Sequence, residues 1–280
     1  MNLPNIDWNE CWRSIYAEKT TATDDCRFWD KRALEFTRHA IKGDYINQFL
    51  AVMQPQSNWS VLDIGSAAGT LAVPMASSVK HITAMDPSGT MLHLLKERCY
   101  EQGINNIDIV RGRWEDNWDE LGIGIHDVAI ASRSLIVSDL HQVVAKLQQY
   151  ASKRVYISTL VDDGPYDRNI IEAVGRKFHS RADYILVYNF LRQMGIYANV
   201  SFTINQIQKE YNDLEDAINS LRWMIDGITA KEEERLRNYL AKTLVSENGH
   251  WKLPYRRVVR WAILWWKKEI NTHHESRDEI

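Results

Sequence analysis

Apolar residues between positions 30 and 53 recur at mixed three- and four-residue spacings, at Ala33, Leu34, Phe36, Ile41, Tyr45, Phe49 and Leu50, within a helical reading of residues 8–53. Residues 55–58 break that pattern. A short apolar run at 60–64, closed by Gly65, reads as a buried strand. Small and apolar residues at 70–77 predict a helix that tolerates Pro74 in its first turn, and 81–85 is a second apolar strand ended by Asp86-Pro87. Pro87-Ser88-Gly89 opens a helix running to about 101, followed by strands at 107–110 and 127–131, a helix at 139–150 and a strand at 155–160. Alternation of strands and helices from 60 to 160 predicts βαβ units in a parallel sheet covered on both faces, because parallel neighbours need crossover connections. Beyond Pro165 the rhythm changes: helical stretches at 168–178 and 182–194, a strand at 197–204, a helical segment at 213–243 and a strand at 256–266.

Composition narrows the class of molecule. With 45% hydrophobic and 25% charged residues over 280 positions, the chain is an ordinary globular sequence, not a disordered or collagen-like one. No apolar stretch approaches the roughly 20 residues that span a bilayer. Residues 1–30 carry charges and Trp8, Trp12, Tyr16 and Trp29 where a secretory leader needs an apolar run, so a cytoplasmic protein with no membrane contact is expected. Cys11, Cys26 and Cys99, an odd count without a CxxC pair, are expected to be thiols, and no metal site is expected. The net charge of -3 offers no field for a phosphate backbone. The basic run at 252–268 has an apolar middle and reads as a buried strand with cationic flanks rather than a nucleic-acid patch.

In an open parallel sheet, ligands sit beyond the carboxyl ends of the strands where strand order reverses, which directs attention to the turn after the first strand. That turn reads Asp63-Ile64-Gly65-Ser66-Ala67-Ala68-Gly69-Thr70. Gly65 permits a sharp turn, Ala67 and Ala68 keep the wall low, Gly69 admits the following helix, and that helix is expected to point its amides at a ligand. A tight strand-to-helix turn without a ligand would use the same small residues. A nicotinamide fingerprint requires glycine where Ala67 stands and glycine or alanine where Thr70 stands, and fails at both. The pattern D-x-G-x-x-x-G after Val61 and Leu62 instead resembles the first motif of class I S-adenosylmethionine-dependent methyltransferases, with Ala67 where the commonest form has glycine.

The resemblance extends over about residues 28–160. Asp86, about 20 positions past the glycine turn, stands where a carboxylate would accept both ribose hydroxyls, with Pro87 beside it; a helix N-cap is the alternative. The segment Gly112-Arg113-Trp114-Glu115 is similar to the family's adenine-contacting turn, with Glu115 an acceptor for the adenine amino group and Trp114 either ring contact or core. Ser132 and Arg133, after the fourth strand, fall where the family faces cofactor and acceptor. The start Phe28-Trp29-Asp30-Lys31-Arg32-Ala33 looks like the Trp-Asp-x-Arg-Ala entry of small-molecule members, whose N-terminal helices cover the cofactor. By that resemblance Asp63, Gly65, Ser66, Ala67, Gly69, Asp86, Pro87, Gly112, Arg113, Trp114, Glu115 and Ser132 would bind cofactor, and Trp29, Arg32 and Arg133 would meet substrate.

The resemblance implies an α/β, Rossmann-like, doubly wound seven-stranded sheet whose last strand is antiparallel. The expected organisation is a helical lid (1–55), a cofactor-binding core (56–205), a helical insertion or cap (206–250), the last strand (251–270) and a polar tail (271–280). Methyl transfer from a sulfonium needs alignment more than it needs a metal or a covalent nucleophile. No catalytic base can be read from the sequence. Ser132-Arg133-Ser134-Leu135 replaces the Asn-Pro-Pro-Tyr type of tetrapeptide, and there is no Pro-Cys pair, which disfavours DNA. A small-molecule acceptor at O, N or S is the leading reading. A protein or RNA acceptor, a binding module without turnover, and a dehydrogenase are the alternatives.

Overall fold

The computed structural model describes residues 6–17, 26–42, 44–178 and 182–268, with side chains of 38–42 excepted; the expected polar tail at 271–280 and the side chain of Ile41 lie outside them. Three helices precede the sheet: α1 (Trp8–Ala17), α2 (Cys26–Lys42) and α3 (Tyr45–Met53). Then follow β1 (Ser60–Ile64), α4 (Ala72–Met75), β2 (His81–Asp86), α5 (Gly89–Glu101), β3 (Ile107–Arg111), β4 (His126–Ser132), α6 (Leu140–Tyr150) and β5 (Ala151–Leu160). The second half holds α7 (Arg168–Ala173), α8 (Tyr184–Gln193), β6 (Asn199–Ile207), β7 (Glu210–Tyr211), α9 (Leu214–Leu221), α10 (Ala230–Thr243), β8 (Val245–Glu247), β9 (His250–Lys252) and β10 (Arg257–Lys267).

Seven strands form one sheet in the order β3-β2-β1-β4-β5-β10-β6. β1 pairs in parallel with β2 and β4, and β10 runs antiparallel between β5 and β6, with Trp261 opposite both Leu160 and Thr203. The sheet therefore has the predicted architecture, and the 252–268 run is for the most part a strand. Its apolar residues Ala262, Ile263 and Leu264 are fully buried. Alternate side chains of the central strands feed two cores: Leu62, Ile64 and Ala129 pack with α6 and α8, while Val61, Ile82 and Val128 pack with α3, whose Phe49 and Met53 are sealed from solvent. Each of the larger side chains among these contributes roughly 1.5 to 3 kcal/mol of burial. Because the chain passes from β1 to β2 and β3 and then returns to place β4 on the other side of β1, strand order reverses between β1 and β4.

Several elements differ from the sequence expectation. Leu34, expected on the buried stripe of α2, is 61% exposed, because the face of that helix turned to the protein carries Ala33, Trp29 and Phe36. α4 is a single turn continued as a 3₁₀ turn at Ala76–Ser78, so it has little dipole to offer a ligand. The 168–178 helix stops at Ala173. The long helical segment is two helices, divided by a 3₁₀ turn, by Gly227 in the left-handed region and by a Thr229–Glu232 capping box. A separate three-stranded sheet, β7-β9-β8, was not anticipated. Its strands are too short and too exposed to show a period, yet Asn248-Gly249, both at positive φ, is the turn that favours a two-residue hairpin.

Candidate functional site

The carboxyl ends of β1, β2 and β4 converge on a cavity of about 340 Å³. At its floor the chain leaves β1 through Gly65 (φ 70°), Ala67 (φ 50°) and Gly69 (φ 74°). A Cβ on Gly65 would lie 2.3 Å from the Ser134 Cβ, and the Ser134 hydroxyl donates to the Ile64 carbonyl at 2.6 Å, which draws the β4 exit against the β1 exit. Gly69, read from the sequence both as admitting the following helix and as a cofactor contact, does not line the cavity; a Cβ there would strike Leu95 of α5 at 2.5 Å and Val73 of α4 at 2.8 Å. Its absent side chain lets α5 pack on the turn. Arg98 of α5 then donates to the Ala68 and Gly69 carbonyls, fixing the turn from behind. Ala67 keeps the left-handed conformation although it carries a methyl, at a cost of about 1 to 2 kcal/mol.

The turn is tied to the neighbouring strand end. Asp86 accepts the Ala67 amide through Oδ2 at 2.8 Å and the Ser88 amide through Oδ1 at 2.9 Å, so the two loops face each other across the crevice. The N-cap of α5 is Ser88, which accepts the Met91 amide at 3.1 Å; Asp86 is not the cap. Burial pushes the Asp86 carboxyl up to about 6, against its two amide bonds. Burial, and secondarily the Asp86 charge, pushes Asp63 up to about 7. The Asp63 Oδ2 and Ser66 Oγ atoms are buried without a hydrogen-bond partner.

Pro87, Gly112, Arg113, Trp114, Glu115, Ser132 and Arg133 also line this cavity, together with Trp29 of α2. Gly112 is required by space, since a Cβ would meet Leu121 at 2.6 Å and the Met85 sulfur at 2.9 Å. Trp114 is half core: its indole donates to the Ser134 carbonyl at 3.0 Å and its ring leans on Trp118. The Ser132 hydroxyl is shared with the buried Tyr45 hydroxyl at 2.6 Å, which also donates to Ser158 at 2.8 Å. Tyr45 and Ser158 were not singled out from the sequence; nothing but helical and strand spacing marks them there.

Arg32 does not reach this first cavity. It lines a second one, of about 400 Å³, that shares Tyr16, Trp29, Phe36, Arg133 and Ile136 with the first. The far wall comes from the second half of the chain, including Tyr166, Lys209, Tyr211, Trp223, Tyr255 and Trp261. Segments 207–211 and 220–224 of the predicted insertion thus face the cavity. The helical stripe Leu214, Ile218, Leu221, Met224 and Ile225 is legible in the sequence, and Leu221 and Met224 of it line the cavity, whereas Lys209, Tyr211 and Trp223 have no such signal because the small sheet is invisible to periodicity.

A crevice at the switch point of a doubly wound sheet, with a glycine turn on one strand end and a carboxylate on the next, defines a nucleotide-type cofactor site. A methyltransferase-domain family model matches residues 61–153. An uncharacterized protein of Haemophilus influenzae is 31% identical over 245 residues, which cover 85% of this chain and 88% of that protein. The structure of a S-adenosylmethionine-dependent methyltransferase from Thiobacillus denitrificans, in complex with S-adenosyl-L-homocysteine, shares the fold at a TM-score of 0.51 and 12% identity, covering 85% of this chain and 96% of that one. The YcgJ protein of Bacillus subtilis does so at a TM-score of 0.53 and 13% identity, covering 84% and 100%. The chain thus carries a methyltransferase domain with the fold of the class I S-adenosylmethionine-dependent methyltransferases.

Proposed function

We propose that this methyltransferase transfers the methyl group of S-adenosylmethionine to a small molecule held in the second cavity. The observation that carries the reading is the shared wall: Arg133, Ile136 and Trp29 border both cavities, so a donor in one adjoins an acceptor in the other. The first cavity fits the cofactor. Its unpaired Asp63 Oδ2 and Ser66 Oγ are buried polar atoms that call for a ligand, and each Asp86 oxygen, occupied by one amide, has a lone pair left for a ribose hydroxyl.

When bound, the cofactor supplies a methyl group on a positively charged sulfur. The protein's part is placement. Gly65 and Ala67 let backbone approach the ligand, Asp86 would hold the ribose, and the Gly112 to Glu115 turn would border the adenine. Trp29 and Phe36 of α2, packed against Ala68 and Met91, close the crevice and exclude water. We read residues 1–55 as the lid and 206–250 as the cap on the acceptor side. A concave cavity of about 400 Å³ walled by both halves of the chain favours a small molecule over a protein or RNA strand.

The test is incubation with S-adenosylmethionine and a metabolite panel, reading S-adenosylhomocysteine release. Turnover with a small molecule and none with RNA or protein is expected. Turnover with RNA or protein alone removes the small-molecule reading.

A further inference from the structure

The charge lining the second cavity runs opposite to that of the whole chain. The protein carries a net charge of -3, yet the cavity wall holds Arg32, Arg133, Lys209 and Arg257 against a single carboxylate, Glu35. Two of the cations are already satisfied. Lys209 lies 3.5 Å from Glu35 and 3.0 Å from the Ser220 hydroxyl, and Arg257 donates to the Pro165 carbonyl at 3.0 Å. Arg32 and Arg133 are not: among the described residues neither guanidinium makes an ion pair or a hydrogen bond. Each is held by aromatic faces instead. Arg32 sits 5.4 Å from the Phe28 ring centre and 5.1 Å from that of Trp223, and Arg133 lies 4.1 Å from Tyr45 and 5.5 Å from Trp261.

A half-buried guanidinium with ring faces but no acceptor retains all its N–H donors for something else. Leaving such a charge unpaired is costly, and a ligand anion relieves the cost through charge-assisted, bidentate bonds. Arg133 stands at the junction of the two cavities, whereas Arg32 borders only the second, so Arg32 is the group committed to the acceptor. Around it the wall is aromatic, with Phe28, Trp29, Tyr166, Trp223 and Trp261 at hand, a lining that suits a flat ring system. Resting on the function proposed above, we infer that the methyl acceptor is a planar, conjugated small molecule bearing a carboxylate, whose acid group is bound by Arg32 and whose ring lies among these aromatic side chains.

Tryptophan-fluorescence titration with 2-naphthoate, 2-naphthamide and cyclohexanecarboxylate, with and without S-adenosylhomocysteine, tests this. The naphthoate is expected to bind at least about tenfold more tightly than either other probe, the gap set by a charge-assisted pair and by ring contact respectively. Arg32→Gln should erase the preference of naphthoate over naphthamide while leaving S-adenosylhomocysteine affinity within about twofold, which also shows the variant folded. Trp223→Leu should weaken both naphthyl probes and spare cyclohexanecarboxylate. Equal binding of naphthoate and naphthamide, an unchanged preference in Arg32→Gln, or no saturable binding of any probe overturns the inference. Failure of S-adenosylhomocysteine to bind while naphthoate still does would instead overturn the cofactor assignment.

Discussion

The Ser88 hydroxyl donates to Asp30 at 2.5 Å, joining helix α2 to the N-terminus of α5 directly beside the Asp86 loop. Asp30 also accepts the Thr90 amide at 3.3 Å, and the Ser88 bond holds its carboxyl below the usual range. Helix α2 is thus fastened at the strand end that would carry the ribose. Asp30→Ala is expected to cost about 1 to 2 kcal/mol and to loosen α2 locally. Hydrogen exchange should rise in residues 26–37 before it rises in the sheet; uniform protection in that segment would show that the apolar contacts of Trp29 and Phe36 suffice.

Asp86, the proposed ribose acceptor, also acts on the fold, because it accepts both the Ala67 and the Ser88 amides. Asp86→Ala should weaken S-adenosylhomocysteine binding by about 1 to 3 kcal/mol and also lower the melting temperature, since two buried amides lose their acceptor. Calorimetric titration and thermal denaturation of the same variant check both. Unchanged affinity would remove the ribose assignment.

The two raised carboxyls make stability pH-dependent in the unusual direction. With Asp63 near 7 and Asp86 near 6 in the folded protein, against the ordinary 3.8, the folded state binds more protons than the unfolded one between about pH 4 and 7. Their contribution is fully present below pH 4 and lost as pH rises through 6 and 7. Asp63→Asn should flatten that loss and raise the apoprotein's melting temperature above pH 7. A ligand that favours the carboxylates should release protons at pH 6.5, and its affinity should fall as pH drops below 7, measurable by calorimetry in buffers of different ionisation enthalpy.

Gly65 and Gly69 should respond differently to alanine. Gly65→Ala places a Cβ 2.3 Å from Ser134 at the cavity wall, so it should abolish cofactor binding as well as destabilise. Gly69→Ala drives Leu95 and Val73 apart behind the wall, so stability should fall by about 1 to 3 kcal/mol, with affinity reduced less. Equal losses of affinity would show that the turn responds as one rigid unit.

The order of strands and helices through residue 160, the reversal at β1 and the paired glycine turn and Asp86 follow from local pattern. Period, turn chemistry and the handedness of crossovers act over a few residues or one βαβ unit, so they are written contiguously. The second cavity is not written that way. Arg32 of α2 meets Trp223 beyond α9, and Arg133 after β4 meets Tyr45 and Trp261. Neither Gly69's turn away from the cavity nor Tyr45's grip on Ser132 has a local signature. Such contacts depend on how covered sheet faces, the N-terminal helices and a small hairpin sheet pack together, and burial energy rewards that packing without regard to separation along the chain.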